Sequence, residues 1–400
     1  MEMKAKEMKD ENKMRDNKDK IKIVYCIDDL YSAGGMQRVL TMKANYLAEK
    51  LGYDVTILLT EEKDLPFYYP LSPLIHIQNF DLNFYRMYNR SSLPMKIIRY
   101  QFYMKRYKRM MTNALMDIRP DITVSLLRKD INFINSIPDG SHKVGEIHFD
   151  KSNYRVFRGP LPQILCKWIS RMWMKQLVGH LRKLERFVVL TNEDKDNWNE
   201  LDNVICIHNP STFQNVTQHS LCTNKQVIAI GRYTYQKGID LLLSAWKLVA
   251  EKHPDWTLQV FGGGEKADYQ QLVEKLKIGS SCILNGDTKD IENKLIDSSI
   301  FVLSSRYEGM PMVLGEAMIH GVPPVSFACP CGPRDIITDG VDGLLVENGN
   351  VQQLAEKICF IIEQEKIRKQ MSEKAKESIK QFDIEKIMPK WDRLFKSIIS

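Results

Sequence analysis

Short apolar runs alternate with longer amphipathic segments along most of this 400-residue chain, and this alternation restricts the possible fold more than any other feature. Strands separated by helices of this length predict parallel sheets joined by right-handed crossovers. In the first half we predict strands at 21–27, 54–60, 121–127, 142–147, 186–191 and 203–207. We predict helices there at 36–50, 94–117, 161–183 and 193–200.

The same alternation starts again after a polar stretch that has no periodicity. There we predict strands at 226–230, 256–261, 281–284, 300–303, 323–326 and 343–346. The predicted helices are 239–252, 267–277, 290–297, 312–320, 332–337, 351–364, 366–380 and 384–399. The fold class that follows is α/β, with two Rossmann-like, doubly wound parallel-sheet domains.

The length of the chain suits two domains of about 200 residues each. We predict a charged, disordered tail at 1–20, an N-terminal domain at 21–209, a linker at 210–224, a C-terminal domain at 225–383 and a closing helix at 384–400. The tail has no apolar core, which excludes a signal peptide. No apolar run elsewhere reaches the ~18 residues that a membrane-spanning helix needs, so we expect a protein that is not integral to a membrane.

Two glutamates seven residues apart follow the predicted strand at 300–303. Gly309 and Pro311 mark the start of a helix, which places Glu308 in the loop above the strand and Glu316 inside the helix. Free backbone N–H groups at a helix N-terminus favour an anion, and the carboxylates accept hydrogen bonds from hydroxyls. Glutamates at this spacing are more often surface residues, but together these groups suit a sugar joined to a nucleotide.

A basic loop follows the predicted strand at 226–230. Arg232 and Lys237 then lie at the carboxyl end of a strand, where open α/β sheets bind their ligands. Two cations at this place would neutralise a diphosphate. The alternative interpretation is a pair of solvated loop charges.

A glycine pair follows the first predicted strand. Gly34 and Gly35 carry no Cβ, so the backbone can approach a ligand closely there. The loop does not have the GxGxxG pattern, which argues against a dinucleotide site. An ordinary strand-to-helix turn remains the alternative.

These pieces together resemble the retaining glycosyltransferases of family 4, which have the two-domain GT-B fold. The resemblance rests on GRYTYQKG at 231–238, FGGGE at 261–265, the glutamates at 308 and 316, the segment 321–346, and SAGGMQR at 32–38. It implies two Rossmann-like domains that face a central cleft. It also implies that the closing helix crosses back onto the N-terminal domain.

The resemblance implies roles for the motif residues. Arg232 and Lys237 would bind the donor diphosphate, Glu316 the ribose, and Glu308 with the loop after it the transferred sugar. The full set of expected donor-binding residues is Gly34, Gly35, Arg232, Lys237, Glu308, Gly309, Met310, Val313, Leu314 and Glu316. The catalytic set is His148, Glu308, Arg232 and Lys237.

The implied reaction moves a hexosyl or N-acetylhexosaminyl unit from a nucleoside diphosphate sugar to an acceptor hydroxyl with retention of configuration. Family members use neither a dedicated nucleophile nor a bound metal, so we expect no cofactor and no metal site. The segment 329–334 resembles enzymes of bacterial surface-polysaccharide synthesis, which favours a UDP-sugar and a glycan or polyprenyl-linked acceptor. A sugar-nucleotide 2-epimerase, a phosphorylase and a non-catalytic membrane-docking scaffold remain alternatives.

His148 is the N-terminal candidate for a catalytic role. It follows the predicted strand at 142–147, so its imidazole lies at the cleft end and can donate to a sugar hydroxyl or near the β-phosphate. Strand alternation places Glu146 on the same face, and Glu146 and Asp150 are nearby alternatives. Many family members carry a histidine at this strand end, although a lone histidine is more often structural.

Basic and aromatic residues are interleaved in two segments, and the formal net charge is +7. The first segment holds Arg86, Arg90, Lys96, Arg99, Lys105, Arg106, Lys108 and Arg109 without an acidic residue. The second, 151–186, has Glu185 as its single acid and contains Trp168 and Trp173. We expect docking on an anionic membrane, at the inner face of the cell membrane. A solvated face is the second interpretation, and single-stranded nucleic acid is disfavoured.

The eight cysteines are scattered, and none forms a CxxC pair or a zinc-ligand spacing with histidine. Cys329 and Cys331 flank a proline and are expected in a turn. This cysteine usage favours the reducing cytoplasm.

Overall fold

The computed structural model describes residues 20–84, 93–157, 159, 161–213 and 216–400, which form two parallel β-sheets with helices on both faces. The first sheet has seven parallel strands in the order β3-β2-β1-β4-β5-β6-β7. Its strands are β1 Lys22–Ile27, β2 Asp54–Leu59, β3 His76–Asn79, β4 Ile122–Ser125, β5 His142–Glu146, β6 Arg186–Val189 and β7 Val204–Cys206.

The N-terminal helices are α1 Gly35–Glu49, α2 Leu93–Ile118, α3 Gln163–Leu181 and α4 Asn192–Asn197. Helix α1 shows why these segments become helical. Leu40, Ala44 and Leu47 recur at a spacing of three or four residues and are all buried against the sheet. Gly34, in an extended conformation, ends β1's connecting loop and begins this helix.

The second sheet has six parallel strands in the order β10-β9-β8-β11-β12-β13. Its strands are β8 Gln226–Ile230, β9 Thr257–Phe261, β10 Cys282–Leu284, β11 Ile300–Leu303, β12 Pro324–Phe327 and β13 Leu344–Val346. The C-terminal helices are α5 Ile239–Lys252, α6 Ala267–Leu276, α7 Ile291–Ile296, α8 Met312–Ile319, α9 Pro333–Ile336, α10 Val351–Glu363, α11 Glu365–Ser378 and α12 Ile384–Ile399. Short 3₁₀ turns lie at Lys129–Asn132, Ile134–Ser136, Lys151–Asn153, Tyr235–Lys237 and Ile379–Phe382.

Strand order reverses at one point in each sheet, between β1 and β4 and between β8 and β11. Loops at the carboxyl ends of the strands that flank such a point form the ligand crevice of open α/β sheets. The glycine pair at 34–35 follows β1, the basic loop at 231–238 follows β8, and the loop that holds Glu308 follows β11. The sheet topology therefore gathers the predicted motifs at two crevices.

Helix α12 packs against the N-terminal domain and joins the two cores. Trp391 and Phe395 on this helix are buried in one apolar cluster that also contains residues of β1, β2 and β11. The hydroxyl of Tyr53 donates to Asp392 at 2.7 Å, which fixes the helix to the first sheet. The long-range contacts of the last helix thus hold the two domains in one arrangement.

The predicted α/β class with two doubly wound parallel sheets is confirmed. Each predicted strand and helix is present within a few residues of its predicted bounds. Strand β3 was not predicted, because its sequence HIQN has no apolar run and its side chains are partly exposed at the sheet edge. The predicted tail, except Lys20, lies outside the described residues, as do 86–92 of the first basic segment, 158 and 160 of the second, and 214–215 of the linker.

Candidate functional site

An ion pair joins the two loops at the crevice of the second sheet. The ammonium nitrogen of Lys237 lies 2.7 Å from Oε1 of Glu308, and the hydroxyl of Ser305 donates to the same oxygen at 2.5 Å. Both side chains are largely buried. No described residue donates to the other carboxylate oxygen, Oε2. One oxygen of Glu308 is therefore held by the protein, and the other has no partner among the described residues.

The backbone around Lys237 explains this placement. The 3₁₀ turn Tyr235–Lys237 ends at Gly238, whose φ of 59° lies in the left-handed region that favours glycine. A Cβ there would lie 2.1 Å from the carbonyl oxygen of Ser304, so only glycine lets the β8 and β11 loops come this close. The hydroxyl of Ser304 in turn donates to the carbonyl of Lys237.

A second cation and free N–H donors belong to the segments that follow the same two strands. Arg232 is exposed and makes no ion pair with the described residues, and its loop follows the same strand as Lys237. At the start of α8 the amide of Leu314 donates to the carbonyl of Pro311 at 3.0 Å. The amides of Met312 and Val313 donate to no described acceptor, so they are the free donors of this helix terminus. Such amides favour an anionic ligand.

Glu316 also receives hydrogen bonds on one carboxylate oxygen, and its donors belong to the N-terminal domain and the linker. Its Oε1 accepts from Nη1 of Arg38 at 2.8 Å and from the hydroxyl of Thr212 at 2.7 Å. The Arg38 guanidinium also lies 5.0 Å from the ring centre of Phe213. Oε2 of Glu316 receives no hydrogen bond from a described residue. Arg38 was part of the quoted loop motif but was not predicted as a site residue.

His148 and Gly309 bring the two domains into contact. A Cβ on Gly309 would lie 2.4 Å from the carbonyl oxygen of His148, so the glycine allows a close backbone approach across the cleft. Nε2 of His148 lies 3.1 Å from Oε1 of Glu146. The structure therefore places His148 beside the loop of Glu308, as a cleft position requires, and Glu146 behind it.

A buried lysine completes this arrangement. Nζ of Lys43 lies 2.5 Å from Oε2 of Glu146, and each side chain is 1% exposed. The ammonium group also lies 3.6 Å from the ring centre of Trp391 on the closing helix. Burial alone would raise the pKa of Glu146, but Lys43 and His148 outweigh it and hold this pKa at about 2. Glu146 is therefore ionised throughout the neutral range.

The remaining predicted donor-binding residues lie at the start of α1 and in the loop of Glu308. Gly35 is the first residue of α1 and has open space around its Cα, whereas a Cβ on Gly34 would meet the side chain of Gln37. Met310 is partly buried, and its sulfur accepts from the backbone amide of Asn209 at 3.2 Å. Met310 thus ties the end of the N-terminal domain to the Glu308 loop.

Three potential metal-ligand groups also meet at the domain boundary. Ligand atoms of Asp150, Asp194 and Cys331 lie within 4.8 Å of one another, all in buried residues. Asp150 accepts from two backbone amides of the turn that follows it, and Asp194 accepts from the indole of Trp198. Burial raises the pKa of Asp194 to about 6. These contacts explain the cluster as turn and core hydrogen bonding. Cys331 lies in a bend, and Cys329 lies outside helices, strands and turns.

The two basic segments divide their aromatic residues between the core and the surface. On α2, Tyr107 is buried against Phe80 and Phe133, whereas Phe102 is 65% exposed. On α3, Ile164 is 82% exposed and Trp168 is 60% exposed. Each helix therefore carries apolar side chains in solvent beside its basic ones. No helix in the described ranges combines the length and the hydropathy that a membrane crossing requires.

Two doubly wound parallel-sheet domains are the architecture of the GT-B fold. Residues 216–378 match the family described as glycosyl transferases group 1. An uncharacterized glycosyltransferase of Haemophilus influenzae is 27% identical over 375 residues, 92% of this chain and 98% of the relative. The amylovoran biosynthesis glycosyltransferase AmsD of Erwinia amylovora is 28% identical over 387 residues, 93% of this chain and 98% of the relative.

A solved structure shares the fold over nearly the whole chain. A mutant of S. aureus TarM, in complex with fondaparinux, alpha-GlcNAc-glycerol and UDP, has a TM-score of 0.74 at 17% identity. The likeness covers 94% of this chain and 99% of that chain. This likeness confirms the predicted GT-B fold. The family match and the two relatives confirm the predicted resemblance to glycosyltransferases, while family 4 and retention of configuration stay predictions.

Proposed function

We propose that this protein transfers a hexosyl or N-acetylhexosaminyl unit from a nucleoside diphosphate sugar, with UDP as the favoured nucleotide, to a glycan or polyprenyl-linked acceptor. The observation that carries the proposal is that Glu308 and Glu316 are each hydrogen-bonded by the protein through one carboxylate oxygen. Each carboxylate has Oε1 fixed by protein donors and Oε2 without a described partner. Fixed acceptors of this kind suit the hydroxyls of the transferred sugar and of the ribose.

The diphosphate would lie between these two carboxylates. Lys237, Arg232 and the amides of Met312 and Val313 supply positive charge and N–H donors there. As the bond between the anomeric carbon and the β-phosphate oxygen breaks, negative charge grows on that oxygen. Groups already aimed at this charge stabilise the transition state without reorganisation. They would supply the role that a metal ion has elsewhere, so we propose that the reaction needs none.

The acceptor hydroxyl would attack from the side that the diphosphate leaves, which retains the configuration. The new glycosidic bond forms to the acceptor oxygen, and the proton of that hydroxyl passes to the departing β-phosphate oxygen. The transferred sugar would resemble an oxocarbenium ion during this exchange. UDP in the TarM complex and the amylovoran pathway of AmsD support a UDP-sugar and a surface polysaccharide.

The test is turnover of UDP-glucose, UDP-galactose and UDP-N-acetylglucosamine with a panel of lipid-linked oligosaccharides in the presence of EDTA. We expect one donor to be consumed and the product to keep the anomeric configuration of the donor, as read by NMR. Release of the free sugar nucleotide's C2 epimer would instead establish an epimerase. An inverted product, or no consumption without added metal, would overturn the proposed chemistry.

We propose further that α2 and α3 dock on an anionic membrane that presents the acceptor. Exposed Phe102, Ile164 and Trp168 lie on helices that carry Lys105, Lys167 and other basic residues. Apolar insertion combined with basic charge is the usual basis of peripheral membrane binding. A cavity of about 820 Å³ beside the start of α3, lined partly by Phe157 and Leu161, gives room for a lipid chain.

Vesicle flotation tests this surface. Wild-type protein should float with vesicles that contain phosphatidylglycerol and stay behind with pure phosphatidylcholine. Trp168→Glu should reduce flotation, while the matched change Leu221→Glu, at a residue that is 76% exposed in the linker region, should not. Equal flotation of both variants would show that α3 is not the docking surface.

A further inference from the structure

The region behind His148 contains a chain of buried ionisable groups that the proposed reaction does not itself require. Glu146 lies between Lys43 and His148. Its Oε2 is 2.5 Å from Nζ of Lys43, beside the closing helix, and its Oε1 is 3.1 Å from Nε2 of His148 at the cleft. Buried ion pairs are costly to desolvate and are often no more stable than apolar replacements. Stability alone therefore gives no reason for this arrangement, and its end at a cleft histidine suggests a second role.

The two ring nitrogens of His148 have different surroundings. Nε2 is buried and lies 3.1 Å from Oε1 of Glu146, although the angle of this contact is not that of a hydrogen bond, and neither atom has a hydrogen-bond partner among the described residues. Nδ1 is not one of the buried, unpartnered atoms, and no described residue bonds to it. A carboxylate accepts and does not donate, so it favours the imidazole form that carries its proton on the nitrogen facing it.

Lys43 keeps Glu146 in the ionised form that favours a proton on Nε2 of His148. Its ammonium group lies against Oε2, so the carboxylate stays charged although it is fully buried. Trp391 covers the ammonium from the closing helix and separates it from water. Helix α12 thereby contributes to a site that it does not itself line.

We propose that Glu146 is a positioning residue that holds the proton of His148 on Nε2, so that Nδ1 is presented to the cleft as a hydrogen-bond acceptor. His148 then recognises a hydroxyl of a bound sugar by accepting from it, whereas the sequence led us to expect a donor. The inference deepens the proposed transferase function and rests on it for the identity of the bound group. The tautomer itself is a property of the free protein.

The first test reads the tautomer directly, in protein labelled with ¹⁵N-histidine at about pH 8, where ordinary histidines are neutral. Comparison with His148→Phe identifies the signals, and a long-range ¹H–¹⁵N correlation shows which ring nitrogen is protonated. We expect a protonated Nε2 and an unprotonated Nδ1. A protonated Nδ1, an even mixture of both forms, or protonation of both nitrogens would overturn the inference.

The second test removes the buried pair without leaving one charge alone. Lys43→Met combined with Glu146→Leu should fold, because apolar replacement of a buried ion pair is often neutral or stabilising. We expect His148 in this double variant to lose its single tautomer and kcat/KM to fall by about 10- to 100-fold, as when other histidine-orienting partners are lost. Adding His148→Ala should then cost little more, since the two changes act on one interaction.

A matched control lies at the other end of the same strand. Lys143 and Asp139 form another largely buried pair, and Lys143 belongs to β5 as Glu146 does. Lys143→Met combined with Asp139→Leu should leave the tautomer and kcat/KM unchanged. If both double variants lower kcat/KM equally, Glu146 has only a structural role. If the expected tautomer is found in a protein that turns over no sugar nucleotide, the inference stands and the proposed function fails.

Discussion

The ion pair between Lys237 and Glu308 provides the sharpest test of the site, because it separates a catalytic role from a structural one. In Lys237→Met the buried carboxylate of Glu308 keeps the hydroxyl of Ser305 as its one donor among the described residues. Breaking a fully buried ion pair costs about 3–5 kcal/mol. The Lys237 side chain is 18% exposed, so water reaches the pair and we expect a loss of about 1–2 kcal/mol in unfolding free energy.

The catalytic cost should be larger. Lys237 would face the leaving β-phosphate, and loss of one such preorganised group typically costs about 3 kcal/mol in activation free energy, or a hundredfold in rate. We therefore expect kcat/KM to fall by at least about 100-fold, while the melting temperature falls by only a few degrees. Steady-state donor turnover and thermal unfolding of the same preparation measure both quantities.

Two further variants separate the effects. Lys237→Met combined with Glu308→Gln removes the unpaired charge, so stability should recover while turnover stays low. Lys225 is the matched control, since it precedes the strand that Lys237 follows and pairs with Asp255 in an exposed ion pair. Lys225→Met should change stability by less than about 1 kcal/mol and leave turnover intact. Wild-type kcat/KM in Lys237→Met, or recovery of turnover in the double variant, would refute the role assigned to this lysine.

Three other expectations each concern a single residue. Arg38→Met removes a charged hydrogen bond that orients the carboxylate in α8, so titration calorimetry should show donor affinity lowered about 10-fold, and an unchanged Kd would contradict the orienting role. Gly309→Ala places a methyl group against the facing carbonyl across the cleft and should lower kcat/KM at least about 10-fold, whereas Gly179→Ala, where a Cβ has open space, should not. Burial raises the pKa of the Asp130 carboxyl to about 6, so the folded state binds this proton more tightly than the unfolded state does. The contribution of this protonation to the unfolding free energy is therefore lost as pH rises from about 4 through 6. Asp130→Asn should therefore raise the unfolding free energy at pH 7 by about 3 kcal/mol but not at pH 4, and an equal gain at both pH values in urea titrations would contradict this.

The fold could be predicted from sequence because its signals are local. Apolar strands such as Ile300–Leu303 and amphipathic helices such as α12 are recognised by periodicity within a few residues. Strand β3 escapes this approach, because an exposed edge strand needs no apolar run. On α2, Tyr107 is buried and Phe102 is exposed, as helical periodicity requires. Counting the aromatic residues of this segment could not predict which of them face the core.

The site was only partly predictable because its remaining contacts are long-range. Glycines and paired glutamates indicate a crevice through their local pattern, but nothing near Arg38 indicates a partner 278 positions away. Lys43 carried one signal that could have been used, a lysine on the apolar face of a helix. A buried lysine needs a carboxylate, and Glu146 at the end of a neighbouring strand is the natural candidate.

The most direct measurement is thermal unfolding of the purified protein in EDTA with UDP, GDP, ADP and their common sugars. Binding to the folded state at about 100 times Kd adds about 2.7 kcal/mol of stability. The account predicts a rise of several degrees in melting temperature with one nucleotide family, UDP being favoured, and loss of that rise in Lys237→Met. No rise with any nucleotide, or an equal rise in the variant, would contradict the donor site at its centre.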